Sequence, residues 1–406
     1  MAQIFPFQPY RYSEKAGSLT TLVTQPYDKI SPAMQSRYLA GNPHNLVRVV
    51  LGERQPGDSE SDNVYTRAAR LMQEWTASGI LQQDAEPGIF PYFQEFVVPD
   101  TGERLVRKGF LALGAVEEYS AGVVYRHEQT LSGPKKDRRE LLRHTHTHFE
   151  PIFMLYADPA GLIDALLDQA AAAPPLGEVT DEYGAIHRLW KIADAATIQA
   201  LMADKKLLIA DGHHRYETAL AFRNENPGLQ NAGLMMMSFV NMHSAGLKIL
   251  ATHRLVGGIS TGGFLSAAAH DFDVREIASL DALRQAWQTS GGRSIIGAAI
   301  GHRLYLLEHR TVRDQLDVRV LHEVLLAKTL GIGEEAVRDE KHLRYIRGVD
   351  LAVEEARNGT AQIAFLLKPT SMEQVAATSF AGGVMPQKST DFYPKLLSGM
   401  AIYKLD

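Results

Sequence analysis

The residues of this chain that are best suited to chemistry are five consecutive positions, Asp211–Arg215, with the sequence DGHHR. They follow the apolar run Leu207–Ala210, and a helix-like segment, Tyr216–Arg223, comes next. The pattern predicts a strand that leads into the five residues and a helix that opens at their end. Because the first turn of a helix has unpaired N–H groups and a partial positive charge, it attracts anions. The sequence therefore predicts an anion site at this junction.

Each side chain of this segment has a role in such a site. Gly212 allows the chain to turn sharply or to approach a ligand closely. Arg215 can hold a phosphate or a carboxylate through two hydrogen bonds. Asp211 can act as an acceptor, a base or a magnesium ligand, and the two histidines can move protons or bind anions. The structural alternative is that Asp211 caps the helix and that Arg215 pairs with Glu217 or another surface acid.

A second candidate site lies between His127 and Arg138. The pair His127 and Glu128 precedes a Gly-Pro turn, and a basic cluster that includes Lys135 follows it. Acid–base groups and anion clamps thus fall in one loop, and Glu128 is our choice for the catalytic base. Because base and phosphate clamp must reach one substrate, we predict that His127, Glu128 and Lys135 line the same cleft as Asp211. The alternative for the basic cluster is a solvated helix face.

Two further polar clusters are less specific. Lys388 and Ser389 follow a Met-Pro turn and resemble the end of a phosphate-gripping loop, although the glycine spacing of a P-loop is absent. His144, His146 and His148 suggest zinc, but they lack the Glu of an HExxH motif, and an exposed polar face is the better interpretation. We keep Lys388 and Ser389 as candidate phosphate-binding residues and leave the three histidines out.

Composition limits the classes of function. The 406 residues are 45% apolar and 22% charged, which is typical of a soluble globular protein. The net charge of −5 gives no global basic field for nucleic acid, and the absence of cysteine excludes disulfides and Cys-ligated zinc. No apolar run approaches the roughly 18 residues of a membrane span, and no signal peptide is evident, so we expect a cytoplasmic location.

The order of apolar runs and turns indicates a mixed α/β or α+β fold. We predict a helix at Val64–Ala77, a hairpin formed by Ile89–Val98 and Leu105–Leu113, and a strand at Leu46–Leu51. A chain of this length exceeds the usual size of one hydrophobic core. We therefore predict an α/β domain at residues 1–257, which carries HEQT and DGHHR, and a second subdomain at residues 258–406, which ends in MPQKST.

Ordered landmarks along nearly the whole chain resemble the bacterial family known as domain of unknown function 1015, whose members are often labelled ParB-like. The landmarks are QPYDKIS (25–31), NPHNLVR (42–48), HEQT (127–130), PKKDR (134–138), PIFMLY (151–156), DGHHRYETA (211–219), THRL (252–255) and MPQKSTDFYPK (385–395). The chain departs from the family pattern at Gln129, where a cation is usual, and at Glu150, where Ser is usual. DGHHRYETA also resembles the box shared by ParB-type partition proteins, sulfiredoxin and free serine kinases. That resemblance implies a ParB/sulfiredoxin-like strand–turn–helix core with a phosphate site.

Resemblance to the free serine kinases implies phosphoryl transfer from a nucleotide or pyrophosphate to a small hydroxy amino acid, with Mg²⁺. The candidate catalytic residues are Glu128, His127, Asp211 and His213. The candidate phosphate-binding residues are Gly212, His214, Arg215, Lys135, Lys388 and Ser389, and Asp211 is also the candidate metal ligand. The alternatives are a ParB-like nucleotide-binding switch or DNA-partition factor, and a phosphohydrolase or phosphometabolite sensor. We expect neither a specific nucleic-acid partner nor a membrane partner, and the oligomeric state stays open.

Overall fold

The computed structural model describes residues 1–128, 132–311 and 315–405, with the side chains of α4 described from Lys135 onward. The described residues form two compact units. The first unit comprises 1–126, 132–248 and 394–405, and the second comprises 127–128 and 249–393 without the three undescribed residues. In this part of the chain the first unit ends at residue 248 and the second begins at residue 249. The division into domains at residues 257 and 258 stays a prediction.

Strands and helices alternate along both units. The strands are β1 (Ile4–Phe5), β2 (Tyr10–Tyr12), β3 (Leu81–Gln83), β4 (Phe90–Val97), β5 (Arg104–Ala115), β6 (Val124–Tyr125), β7 (Thr147–His148), β8 (Ile152–Tyr156), β9 (Gly177–Thr180), β10 (Ile186–Leu189), β11 (Leu207–Asp211), β12 (Leu234–Asn241), β13 (Lys248–Leu250), β14 (Thr252–Val256), β15 (Phe272–Ile277), β16 (Ile295–Ile300), β17 (Arg303–His309), β18 (Leu343–Arg347), β19 (Ile363–Leu366), β20 (Asp391–Tyr393) and β21 (Tyr403–Lys404). The helices are α1 (Pro32–Gly41), α2 (Val47–Val50), α3 (Val64–Ala77), α4 (Ser132–Thr145), α5 (Leu162–Ala171), α6 (Ala196–Met202), α7 (His213–Glu225), α8 (Phe264–Ala268), α9 (Leu280–Gln288), α10 (Asp317–Val320), α11 (Glu334–Arg338), α12 (Val349–Arg357) and α13 (Met372–Phe380). The predicted mixed α/β fold class is therefore confirmed.

The first unit is built on one large mixed sheet. Its strand order is β6-β11-β8-β12-β5-β4-β10-β9, and β1 pairs with β5. Strand β11 runs parallel to β6 and antiparallel to β8, and β8 is parallel to β12. All five residues of β8 are buried, as are seven of the eight in β12, which explains their unbroken apolar sequences. The predicted hairpin is confirmed as β4 and β5, and the predicted helix at Val64–Ala77 is confirmed as α3.

The prediction of a strand at Leu46–Leu51 is wrong, because this run forms the short helix α2. The side chain of Asn45 accepts a hydrogen bond from the backbone N–H of Val47 at 2.9 Å and so begins the turn. Val49 and Val50 pack in a separate core cluster with residues of α3, including Trp75. Since four of its six residues are buried, its largely apolar character fits a buried helical turn as well as a strand.

The second unit has its own sheet, in the order β15-β17-β16-β19-β14-β18, and each of these pairs is antiparallel. Residues of α9 and α12 pack against it, among them Leu283 and Val353. After α10 the helix continues as a π-helix, Leu321–Thr329. In the described stretches of both units, every helix is too short or too polar to span a lipid bilayer.

Candidate functional site

The predicted strand–turn–helix junction is present at residues 207–225. Strand β11 ends at Asp211, Gly212 occupies the position before the helix, and α7 begins at His213. Gly212 has a φ of +97°, a left-handed conformation that L side chains rarely adopt. A Cβ atom there would also lie 2.8 Å from Cδ1 of Ile152 and 3.1 Å from a guanidinium nitrogen of Arg215. Both the backbone conformation and the close packing therefore require glycine.

The N-cap position of α7 is occupied by Gly212, which has no side chain that could cap the helix. Gly212 provides no side-chain hydrogen bond, and the first turn contains no acidic residue. The first backbone bond that closes the helix runs from the N–H of Tyr216 to the carbonyl of Gly212, at 2.9 Å. Gly212, and not Asp211, is therefore the N-cap residue of this helix. The N–H groups of the first turn form the kind of helix terminus that binds anions.

Asp211 faces Lys395, whose Nζ donates to Oδ2 at 3.1 Å. Burial by itself would raise the pKa of the Asp211 carboxyl, but the positive charges of Lys395, Arg215 and Lys29 outweigh burial and lower it strongly. Asp211 therefore stays ionised at physiological pH. A carboxylate with so low a pKa is a weak base, but its fixed negative charge suits a cation. This geometry favours the metal-ligand role of Asp211 over a proton-transfer role.

Arg215 is held by the segment that precedes β8. Its Nη1 donates to the carbonyl of Pro151 at 2.9 Å and lies 3.4 Å from Oε2 of Glu150. Its acidic partner is thus Glu150 and not Glu217. The other oxygen of Glu150 accepts hydrogen bonds from the N–H of Tyr27 at 3.0 Å and from the hydroxyl of Ser398 at 2.9 Å. The family departure at Glu150 therefore places a buried negative charge beside Arg215.

Lys395 is a further site residue, and it belongs to the final family landmark. The buried side chain of Arg107 donates to the carbonyl of Pro394, and Nε2 of Gln94 donates to the carbonyl of Lys395 at 2.8 Å. The hydroxyl of Tyr92 accepts from the N–H of Leu397 at 3.2 Å. Burial lowers the pKa of Arg107 to about 9, which still leaves its guanidinium charged at neutral pH. These bonds fix the backbone that carries the Lys395 ammonium to Asp211.

The other first-unit candidates also lie on or beside α7. His213 is buried in the first turn of the helix, and His214 is half-buried next to it. Lys135, on α4, forms an ion pair with Glu217 of α7. Arg126 also lies 3.4 Å from Glu217, so this carboxylate has two cationic partners. The structure thus brings Lys135 to the helix that follows DGHHR.

The remaining candidates belong to the second unit. His127 is fully buried, and its Nε2 lies 2.7 Å from the hydroxyl of Thr390. Glu128 pairs with Met385 in a short parallel bridge. The rest of the HEQT motif, residues 129 and 130, lies outside the described residues. That His127, Glu128 and Lys135 share one cleft with Asp211 stays a prediction.

Lys388 and Ser389 lie in the loop before β20. Lys388 has a φ of +57°, which is uncommon for a residue with a side chain, and its carbonyl accepts a bond from Arg254 at 3.0 Å. The hydroxyl of Ser389 donates to the carbonyl of Pro386 in the same loop, and the carbonyl of Ser389 accepts from the hydroxyl of Thr370 at 2.9 Å. These bonds stabilise a tight turn, and the phosphate-binding role of both residues stays a prediction.

Histidine and carboxylate side chains do not form a protein-only metal centre in the described ranges: no group of three or more is close enough to hold an ion. Of the three clustered histidines, His144 is exposed and bonds to the carbonyl of Glu140 at 2.8 Å. His148 is buried, which lowers its pKa to about 4, and its ring stacks on Tyr403. A metal ion at Asp211 would therefore need further ligands from a substrate or from water.

The fold and this junction together define a mixed α/β protein in which a helix N-terminus follows an Asp–Lys–Arg cluster. The chain belongs to the family described as protein of unknown function DUF1015, whose model matches residues 4–323. No curated protein matches it.

Among solved structures, the chain is similar to a conserved hypothetical protein from Pyrococcus furiosus, with 15% identity over 70% of this chain and 92% of that one, and a TM-score of 0.39. It is similar to a variant of free serine kinase in complex with ADP, with 14% identity over 68% and 89% of the two chains and a TM-score of 0.38. A C-terminally truncated SbnI from Staphylococcus aureus shares 12% identity over 71% and 85%, with a TM-score of 0.36. These likenesses are too distant to carry an argument about activity.

Proposed function

We propose that this protein binds the phosphate of a nucleotide or pyrophosphate at the N-terminus of α7 and transfers a phosphoryl group to a small hydroxy amino acid. The observation that carries the proposal is the convergence of the positive charges of Lys395 and Arg215 on Asp211, directly before the N-terminus of α7. Phosphoryl transfer requires that phosphate charge be clamped, that a metal ion be held and that the acceptor hydroxyl be oriented. The residues of the junction supply groups for the first two tasks.

In this proposal the phosphate lies against the backbone N–H groups that follow Gly212. Arg215 and Lys395 provide its cationic partners, and His214 and Lys135 extend the cationic edge along α7. Lys388 and Ser389 are proposed to contact further phosphate oxygens. Mg²⁺ usually keeps several waters and binds through one or two carboxylates plus substrate phosphates, so Asp211 is a sufficient protein ligand for a magnesium–nucleotide complex.

We assign proton transfer to residues other than Asp211. Its strongly lowered pKa makes it a poor proton acceptor at neutral pH. We assign removal of the acceptor's hydroxyl proton to Glu128, with His127 beside it: Nε2 of His127 lies 3.9 Å from Oε1 of Glu128. His213 is proposed to assist proton movement at the phosphate end.

One observation favours a second candidate function, a phosphometabolite sensor or a phosphohydrolase. Arg215 is already paired with Glu150, and Asp211 is already paired with Lys395. An arriving phosphate would compete with both acids for their cations, so binding would change the contacts that hold segment 394–398 and the start of β8. A site whose occupancy alters such contacts suits a sensor, and only turnover separates the two functions.

The test is to incubate the protein with Mg²⁺, one donor (ATP, ADP or pyrophosphate) and a panel of hydroxy amino acids, and to follow phosphorylated product by ³¹P NMR. Phosphorylated amino acid is the expected product. Release of inorganic phosphate without it would indicate a phosphohydrolase, and nucleotide binding without turnover would indicate a sensor. Labelled duplex DNA is titrated in parallel over a range of salt concentrations. Tight, sequence-specific DNA binding without phosphoryl transfer would contradict the proposal and favour a ParB-like function.

A further inference from the structure

The second unit contains a buried arginine that forms no close ion pair with an acidic side chain among the described residues. Arg254, on β14, is 1% exposed. Its two terminal nitrogens donate only to backbone carbonyls, those of Thr252, Gln387 and Lys388. Its Nε is buried and has no hydrogen-bond partner in the described part of the chain. Because a buried charge is costly unless it is paired and hydrogen-bonded, this guanidinium indicates a missing anionic partner.

Three other side chains beside Arg254 also have a buried polar atom without a hydrogen-bond partner among the described residues. Tyr345 pairs with Arg254 across the strands β18 and β14, and its ring centre lies 5.3 Å from the guanidinium carbon. Glu128 lies opposite Met385 in a parallel bridge, in which the N–H of Met385 donates to the carbonyl of His127, shortly before the carbonyls that Arg254 contacts. His322 lies on the π-helix. The Tyr345 hydroxyl, Oε1 of Glu128 and Nε2 of His322 are all buried without a hydrogen-bond partner among the described residues.

Electrostatics supports the proximity of these groups. Burial lowers the pKa of Arg254 to about 10, although electrostatic interactions with Tyr345 and Glu128 act to raise it. Burial and then the charge of Arg254 lower the pKa of His322 to about 3, so its imidazole is neutral at physiological pH. Buried polar side-chain atoms are seldom left without hydrogen-bond partners in proteins. These four atoms, one of which is Nε of Arg254 itself, therefore require an explanation.

Neither a direct ion pair nor a single water explains the four atoms. A small movement that joined Glu128 to Nε of Arg254 would satisfy two of them and leave the Tyr345 hydroxyl and His322 unpaired. A cavity of about 10 Å³ also lies against Arg254 and is about large enough for one water. Its lining includes Thr252 but not Glu128, Tyr345 or His322, so a water there would reach only the arginine.

The chemistry of the four atoms defines the missing partner. Nε of Arg254 and the hydroxyl of Tyr345 can donate to an anionic oxygen, and Oε1 of Glu128 can accept from a ligand N–H or O–H. Neutral His322 can do either. We propose that this cluster binds a small amino or hydroxy acid, with its carboxylate at Arg254 and Tyr345 and its hydroxyl or ammonium at Glu128. The inference rests on the proposed function only where it identifies this ligand as the phosphoryl acceptor.

The experiment measures binding of L-serine to the full chain by isothermal titration calorimetry, without nucleotide. Serinamide, which lacks the carboxylate, and glycerate, which lacks the amine, are the comparison probes. We expect serine and glycerate to bind and serinamide not to bind. Tyr345→Phe removes only the hydroxyl, Glu128→Gln removes only the charge, and each should weaken binding of serine about tenfold, as for loss of one hydrogen bond to a charged group. Tyr305→Phe, on β17 of the same unit, is the matched control and should leave binding unchanged.

The outcomes separate this inference from the proposed function. If no carboxylate probe binds, or if serine binds equally well to the wild type, Tyr345→Phe and Glu128→Gln, the inference is overturned. Phosphoryl transfer to serine with an unchanged KM in both variants would also overturn it, while the proposed function would stand. Binding of serine that both variants weaken, with no transfer from any donor, would support the inference and refute the kinase. Both variants are conservative, and a thermal melt of each shows that it is folded.

Discussion

The substitution Lys395→Met tests the candidate site most directly. It keeps most of the side-chain volume but removes the ammonium that lies 3.1 Å from Oδ2 of Asp211. At that distance the attraction is about 1 kcal/mol with the dielectric constant of water and about 5 kcal/mol with an effective value near 20. Only 11% of the lysine side chain and 28% of the aspartate side chain are exposed, so the true value lies between these limits. Arg215 and Lys29 remain near the carboxylate, and we expect a net loss of about 1–3 kcal/mol of unfolding free energy.

The loss should depend on pH in a defined direction. Because the pKa of Asp211 is lowered in the folded protein, its ionised form stabilises the fold above the unfolded value of about 3.9. That stabilisation disappears as the pH falls through the folded pKa. The difference in unfolding free energy between wild type and Lys395→Met should therefore be largest at neutral pH and shrink below about pH 4.

Two assays check the prediction. Urea unfolding at several pH values measures the stability difference, and calorimetry with ADP measures the effect on the proposed phosphate site. Loss of one charge-assisted contact should weaken ADP binding about 10- to 100-fold. Lys15→Met, which removes an exposed lysine of the same unit, is the matched control. Unchanged ADP affinity in a folded Lys395→Met variant would refute the assignment of Lys395 to the phosphate site.

Three other substitutions give distinct expectations. Gly212→Ala should lower the unfolding free energy by about 1–3 kcal/mol in urea denaturation, because alanine is strained at φ +97° and its Cβ would contact Ile152 too closely. Equal stability of the two proteins would contradict that local geometry. Glu150→Gln keeps a hydrogen-bond acceptor for its neighbours but removes the negative charge beside Arg215. It should therefore tighten ADP binding about threefold, as measured by calorimetry, and lower the stability of the fold, as measured by thermal melting. A weaker ADP complex would mean that Glu150 contacts the ligand favourably. Asp211→Asn should reduce kcat far more than it changes the Kd for ADP if this carboxylate holds Mg²⁺, and an effect on Kd alone would exclude that role.

The strand and helix around DGHHR were predictable because their signals are local. An apolar run, a glycine and a helical segment follow one another directly, and β11, Gly212 and α7 reproduce that order. The partner of Asp211 was not predictable in the same way, because Lys395 is 184 positions away in the sequence. Its backbone is held near Asp211 by hydrogen bonds from Arg107 and Gln94. No pattern of spacing encodes such a contact.

Other differences have similar physical causes. A short and mostly buried apolar run such as Leu46–Leu51 has too few residues for its periodicity to distinguish a short helix from a strand. The acidic partner of Arg215 is Glu150, which comes from the chain before β8, and no local spacing indicates such a contact.

The chain leaves the first unit at residue 248 and returns to it at residue 394, so residues 249–393, which make up most of the second unit, are an insertion within the first. During synthesis the ribosome therefore makes Asp211, Arg107 and Gln94 well before it makes the segment that carries Lys395. At the usual rate of about 5–20 residues per second, the gap of 184 positions corresponds to roughly 10–40 seconds. Throughout that interval the buried guanidinium of Arg107 and the carboxylate of Asp211 lack these partners. The anion site is consequently one of the last parts of the molecule to be completed, after every residue of the inserted unit has been made.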